Sequence, residues 1–564
     1  ASNERDRRRR IARSKPADGP APLAGVWRKQ VAAPAKACII AAMGKGDTYF
    51  YVTAFAGGLV SLSVELAASS LLRPHFGTAN LVWATIIGLI LLYLTVGTFL
   101  GGRWADRSPH PATLYQIVAW AGFTVGLVPF VAHPVLSLAA PGFTDFRIAL
   151  LAGSFVTVLL LFSAPVILLG CISPFVIRLI VTDVRSSGRA AGRVYAVSTI
   201  GSFLGAFLPD LLLVPTIGTR NTFVLLSLLL LGVALIGLFR ASRQTGRRYV
   251  LLYLCMPIIV ILLALLLGSR PVKATAMGEV IYEGESAYNY IQVVEDNDGC
   301  RQLLLNEGGG IHSIYCPDRL RTPGPWDYFL VAPYFNPPPY SPQDVERVAL
   351  IGLAAGTIAR QYTEVHGPVA IDGVEIDPEI IRVGREYFAL NQPNLNAIVA
   401  DGRAYLAHTN HTYTVIGVDA YRLPYIPPHL TTVEFFQEAR DHLTQDGVMA
   451  INVGRTADDD RLVRAMVTTL LEVFPSAHVI HVPNSFNAVV VATVQPTEAA
   501  NLTANLPSIR LASREADFLY RTALSAIDNL SSTRPRQVVF TDDRASIELM
   551  TNALLLDFIL GGGQ

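Results

Sequence analysis

Four short segments of the sequence carry residue types that could act together on one ligand. Val348-Ala-Leu-Ile-Gly-Leu-Ala-Ala-Gly-Thr357 reads as an apolar strand entering a turn, where Gly352 and Gly356 let the backbone approach a ligand ahead of a helix amino end. About twenty residues on, Val374-Glu-Ile-Asp377 puts Glu375 at a second strand end, and a carboxylate there can accept both hydroxyls of a ribose. Ala400-Asp-Gly402 sets Asp401 and Gly402 at a third, with Asp401 suited to an adenine amino group. Val418-Asp-Ala-Tyr421 sets Asp419 at a fourth, beside the reactive part of the ligand, where it can act as general base toward an amine. That order describes a nucleoside-binding crevice at the carboxyl ends of a parallel sheet.

The elements that position these residues follow from periodicity. Strands are predicted at 347–352, 369–375, 396–400, 414–419, 447–453 and 488–493, alternating with helical patterns, which gives a doubly wound α/β domain over 321–564. Ahead of the Pro-rich break at 336–342, residues 275–320 show period-two patterning in Val280-Ile-Tyr282, Tyr288-Asn-Tyr-Ile-Gln-Val-Val294 and Gln302-Leu-Leu-Leu305. Asp296-Asn-Asp-Gly299 supplies hairpin chemistry, so this is a small antiparallel β unit. Gly308-Gly-Gly-Ile-His312 could bring an imidazole to the site mouth or leave it in a surface loop. Trp326-Asp-Tyr328 opens a helix whose aromatics cap the pocket or pack in the core, and Tyr421, Tyr425 and nearby prolines suggest a stiff lid. Thr541-Asp-Asp-Arg544 suggests a cap for the last helix.

The first half is of a different kind. A span needs roughly 20 mostly apolar residues, and seven segments qualify: 49–71, 80–101, 112–135, 148–172, 194–215, 221–240 and 249–268. The fourth continues through Pro174 towards Ile180. Residues 48–270 therefore read as a multispan α-helical membrane domain, preceded by a basic leader, 1–47, whose composition is that of disorder. Arg103 and Arg107 fall in one link, Arg178, Arg185, Arg189 and Arg193 in another, and Arg240, Arg243, Arg247 and Arg248 in a third. The alternate links hold Arg73, Arg147 and Arg220. The basic-residue rule then puts the amino terminus in the cytosol and, after seven spans, the C-terminal domain outside, whereas one further or re-entrant segment would reverse the side of that domain. Glu65 and Asp210 lie within spans, where an acid faces a partner helix or a watery cavity. Gly101-Gly-Arg-Trp-Ala-Asp-Arg107 reads as a tie between helix ends through charge-assisted hydrogen bonds.

Composition agrees. Only 16% of the 564 residues are charged, mean hydropathy is +0.39, and a net charge of +1 argues against a nucleic-acid partner. The five cysteines show no metal spacing. Cys300 and Cys316 share the soluble half and either pair in an oxidising compartment or stand as thiols.

Residues 275–564 resemble the spermidine/spermine synthase family, on Ser286-Ala-Tyr-Asn-Tyr-Ile-Gln-Val293, Leu304-Leu-Asn306, the glycine turn, Val374-Glu-Ile-Asp377, Asp401-Gly402 and Val418-Asp-Ala-Tyr421. The first half is similar to membrane-fused relatives at Leu62-Ser-Val-Glu-Leu66, Trp83-Ala-Thr-Ile-Ile-Gly88 and Gly101–Arg107. The resemblance implies a class I methyltransferase-like Rossmann domain and aminopropyl transfer from decarboxylated S-adenosylmethionine to a diamine, with no metal and no tightly bound cofactor. It gives nucleoside contacts to Glu375 and Asp401, a cofactor contact to Asn289 and the base role to Asp419. Tyr421, Arg422 and His312 fall at the substrate side. Soluble relatives commonly dimerise, so a homodimer is a further expectation.

The departures concern the amine. The family's aspartate in the glycine turn is Ala355 here, and the aspartate three residues beyond the base is Arg422. At an effective dielectric of about 20, each charge pair at 4 Å is on the order of 4 kcal/mol, so ordinary putrescine binding would need acids elsewhere, such as Glu307 or Glu434. Arg422 suits an anionic group, including the carboxylate of undecarboxylated S-adenosylmethionine. Methyl transfer from that donor, or ligand binding without turnover by a transporter or sensor, are the alternatives.

Overall fold

The computed structural model describes residues 47–76, 80–139, 146–241, 248–268, 275, 277–306, 310–322, 324–421, 426–512, 515–532, 538–545 and 547–560. The chain divides into two compact units, Ala1–Val52 and Thr53–Gln564. Of the first, only residues 47–52, at the start of the opening helix, are described.

Long apolar helices come first: α1 (Thr48–Phe76), α2 (Asn80–Arg107), α3 (Pro111–Ala139), α4 (Phe146–Ile180), α5 (Ser187–Leu208), α6 (Val214–Ala241) and α7 (Arg248–Leu267). Among the described residues, six helical runs are long and apolar enough to cross a membrane, and one of these, Val184–Ala241, spans 58 residues and contains both α5 and α6. At 1.5 Å per residue such a run is about twice the depth of a bilayer. It is not straight: a π-helical turn occupies Pro209–Leu213, and Gly218, at φ 79 and ψ 160, breaks the axis into two arms.

Small residues let the helices meet closely. A side chain on Gly97 would lie 2.3 Å from the Ile167 carbonyl oxygen, so α2 and α4 pack backbone to backbone there. Ser63 donates to the Gly205 carbonyl at 3.1 Å and Ser202 to the Gly58 carbonyl at 3.1 Å, joining α1 and α5. The last turn of α2 makes the tie that its sequence suggests, Asp106 to Arg178 of α4 at 3.1 Å.

The β unit follows, with β1 (Glu279–Glu285), β2 (Tyr290–Glu295), β3 (Arg301–Leu305) and β4 (Ile311–Tyr315) in antiparallel order. The Asp296 side chain holds the hairpin by accepting from the Asp298 and Cys300 amides at 3.0 and 2.9 Å. Cys300 and Cys316 form a disulfide, which resolves the two arrangements left open by sequence. Residues 311–315 form a strand that their short, mixed run does not announce. At the end of β1, Glu285 accepts the Thr219 amide at 2.6 Å, one residue beyond the Gly218 break, and so docks the β unit on the helical half.

After the short helix α8 (Trp326–Phe329) come β5 (Arg347–Ile351), α9 (Thr357–His366), β6 (Ala370–Glu375), α10 (Pro378–Tyr387), β7 (Leu395–Val399), α11 (Gly402–Leu406), β8 (Tyr413–Val418), α12 (Val433–Asp441), β9 (Leu443–Gly454), α13 (Arg461–Leu471), β10 (Ser476–His481), β11 (Asn487–Thr493) and β12 (Leu530–Ser531). The sheet order is β12-β10-β11-β9-β8-β5-β6-β7. β7, β6, β5, β8 and β9 run parallel, and β11, β10 and β12 complete an antiparallel edge. Both faces are covered: Val348, Leu350 and Ile371 enter one apolar cluster, Ala349, Ile351 and Val374 another. This is why the parallel strands are apolar without alternation. β10 was not predicted, because Ser476, His478 and His481 interrupt its apolar run.

Candidate functional site

The chain leaves β5 toward β6 and β7, then returns on the other side as β8, so the carboxyl ends of β5 and β8 part at a topological switch point. Gly352 follows β5 with φ +88, and a Cβ there would sit 2.7 Å from the Asp419 carbonyl oxygen and the Ala420 nitrogen. Only glycine permits this close approach of the two strand ends.

A cavity of about 420 Å³ opens at this point, and Asn289, His312, Gly352, Glu375, Asp401, Gly402, Asp419 and Tyr421 all line it. Of the described residues singled out from sequence, Gly356 does not join them. Gly356 caps the start of α9 at φ +90, and a side chain there would meet Leu390 at 2.1 Å, so its conformation serves packing. Arg422 lies outside the described residues, as do Tyr425 and Glu307.

Glu375 ends β6, 8% exposed. Its carboxylate accepts the Ala354 amide at 3.0 Å and the Asp377 amide at 3.2 Å. Burial pushes its pKa up to about 7, and these backbone donors pull against the shift. Asp401 caps α11 through the Ala404 amide at 3.0 Å and meets His429 Nε2 at 3.0 Å. Asn289 donates to Asp377 at 2.9 Å and accepts from Asn306 at 2.9 Å. One of its donors and its carbonyl are thus committed to the wall that they shape. Asp377, read from sequence only as the end of a motif, is the hub of that wall. It caps α10 through the Glu379 amide at 3.0 Å and receives the Ser286 hydroxyl at 2.5 Å.

Asp419 stands between this cavity and a second, of about 470 Å³, which shares Asp419, Tyr421, His312 and Ala354 and adds Trp326, Asn452 and Asn487. Asn452 Nδ2 donates to Asp419 at 2.8 Å. Burial raises the Asp419 carboxyl to about 7, and hydrogen bonds from Asn452 and the Trp326 indole oppose that rise. A carboxylate titrating near neutrality, reachable from two sides, suits proton abstraction. The Tyr421 hydroxyl donates to the Asn452 carbonyl at 3.1 Å, pinning the ring across the shared wall. Burial drives His312 down to about 4, so its imidazole is neutral at physiological pH.

Several expectations are revised. Ala354, at φ 47, faces both cavities, whereas Ala355 packs in an apolar cluster with Ile291, Val383 and Phe388. Glu434 is occupied at the Asp542 amide, 3.0 Å away, and lines neither cavity. Asp542 does not cap the last helix; it binds Arg403 at 2.7 and 2.8 Å. Of the α8 aromatics, Trp326 reaches the second cavity while Tyr328 is buried against Ser525 at 2.9 Å. Asn452 and His429 were not foreseen. A buried asparagine interrupting the apolar run Val448–Val453 was the signal available for the first.

The parallel order, the crossover crevice and the strand-end carboxylates define a class I methyltransferase-like α/β domain. The spermine/spermidine synthase domain matches residues 336–504. A probable polyamine aminopropyl transferase of Bifidobacterium longum (strain NCC 2705) is 30% identical over 285 residues, 48% of this chain and 61% of that protein. The polyamine aminopropyltransferase of Vibrio vulnificus (strain CMCP6) is 30% identical over 214 residues, 35% of this chain and 67% of that protein. The chain thus spans about three fifths of the first relative and two thirds of the second. A probable spermidine synthase from Corynebacterium glutamicum ATCC 13032 superimposes with a TM-score of 0.36 at 20% identity, covering 46% of this chain and 96% of that one. The chain belongs to the spermine/spermidine synthase family, with long apolar helices ahead of the family domain.

Proposed function

We propose that this protein is a membrane-embedded aminopropyltransferase that moves the aminopropyl group of decarboxylated S-adenosylmethionine onto an amine. The observation that carries the reading is the position of Asp419, on the wall common to two adjoining cavities and close to neutral in pKa. The nucleoside occupies the cavity of Glu375 and Asp401, the amine the other. The amine nitrogen attacks the carbon bound to sulfonium sulfur, the carbon–sulfur bond breaks, and its electron pair remains on sulfur as neutral methylthioadenosine. The amine proton passes to Asp419. The sulfonium is already a good leaving group, so the residues contribute orientation, desolvation and a base.

We further propose that the amino terminus lies in the cytosol and the family domain on the opposite face. The arginine-rich links support this orientation, as do the two arms either side of Gly218 and the Cys300–Cys316 disulfide, a bond typical of oxidising compartments.

The test is incubation of the purified full chain with each adenosyl donor, with and without amine. Amine-dependent methylthioadenosine from the decarboxylated donor supports the reading. Adenosylhomocysteine from S-adenosylmethionine would replace it with methyl transfer, and nucleoside binding without either product would leave a ligand-binding protein.

A further inference from the structure

The second cavity is unlike a site for a dication. Besides Asp419, its polar wall among the described residues consists of neutral groups: Asn452, Asn484, Ser485 and Asn487, with Trp326 and Phe486 as apolar faces. His312, which also reaches it, carries no charge at neutral pH. Glu434, the described acid best placed in the sequence to compensate, is held elsewhere by the Asp542 amide. A buried ammonium without a counter-charge is costly, and one carboxylate can answer one cationic amine only.

Asn452 sharpens the point. Its residue is 5% exposed, its Nδ2 is spent on Asp419, and its Oδ1 has no hydrogen-bond partner although buried. An acceptor atom left empty beside the base calls for a donor from the ligand. The N–H groups of one primary amine can meet Asp419 and Asn452 Oδ1 together, which would aim the nitrogen lone pair away from both, toward the nucleoside cavity.

We infer that the acceptor is a primary amine whose remainder is uncharged and hydrogen-bonding, such as an amino alcohol, and not a diamine. This rests on the aminopropyl-transfer reading and specifies its substrate class.

Four acceptors of equal chain length test it: 4-aminobutan-1-ol, n-butylamine, putrescine and 4-aminobutanoate. With full-length protein and decarboxylated donor, kcat/KM for the amino alcohol should exceed that for putrescine at least tenfold. Asn487→Asp should narrow that gap at least tenfold by restoring a second charge. Putrescine equal to or better than the amino alcohol overturns the inference, and so does 4-aminobutanoate leading the series. Calorimetry of the same amines on protein saturated with methylthioadenosine gives a ranking that needs no turnover. An amino-alcohol preference there without product would preserve the cavity's selectivity and sink only the transfer reading. No amine binding at all would sink the inference as well.

Discussion

On the nucleoside side of Asp419, carboxylates are fixed by backbone amides: Glu375 by Ala354 and Asp377, Asp401 by Ala404. On the amine side the wall is amide and aromatic, built from Asn452, Asn487, Trp326 and Phe486, and Asn452 Oδ1 is left without a partner. The first cavity has its acceptors oriented before any ligand arrives, which favours one fixed polar molecule. Among the described residues, the second keeps one charge at its inner wall and otherwise offers shape and neutral hydrogen bonds. The two cavities that meet at Asp419 therefore differ in polarity among the described residues.

The comparison can be broken most decisively at the shared residue. Asp419→Asn should lower turnover by about 10³-fold, within the range of a lost general base, while calorimetric affinity for methylthioadenosine stays within about twofold. Undiminished turnover would remove Asp419 from the chemistry. The same variant has a stability signature of opposite sign. Asp419 titrates near 7 when folded, above its ordinary 3.8, so its contribution to stability is present at low pH and lost as pH rises through that window. Asp419→Asn should therefore match the parent in thermal unfolding below pH 4 and exceed it above pH 7.

A smaller effect belongs to one side alone. Glu375→Gln should weaken methylthioadenosine binding by roughly 10- to 100-fold through a weakened contact to a ligand diol, with amine KM at saturating donor unchanged. A parallel loss of amine affinity would show that the two cavities are not independent. In the acidic limb of the pH–rate profile, activity should rise toward a midpoint near 7 as Asp419 ionises. Asn452→Leu, which removes a donor to the ionised form, should move that midpoint upward. Least of all, Asp106→Asn should change stability by no more than about 1 kcal/mol, since its partner Arg178 is half exposed.

Most of the donor side was legible because strand-end carboxylates and a glycine turn announce themselves in order along the chain; β5 to β8 fell within a residue of their predicted limits, while β9 begins four residues earlier than predicted. The amine side was not. Asn452 lies mid-strand and Trp326 on a four-residue helix, so their approach to Asp419 depends on sheet order and chain packing that no local pattern encodes. Asp377 was misjudged for a related reason: its value comes from Ser286 and Asn289, ninety or so residues away. The Cys300–Cys316 bond and strand β4 were undecided because two cysteines and a five-residue run fit either outcome.

Glu285 connects these regions over a very short stretch of chain. Its carboxylate holds the Thr219 amide, and the next residue, Ser286, binds Asp377, while Ala287, Tyr288 and Asn289 form part of the nucleoside wall. Apolar helix, cavity loop and sheet are therefore fastened within five consecutive residues. A fragment cut free after Leu267 would keep every described residue that lines this cavity yet release the outer anchor of that loop, so ligand affinity measured on it should fall below that of the full chain.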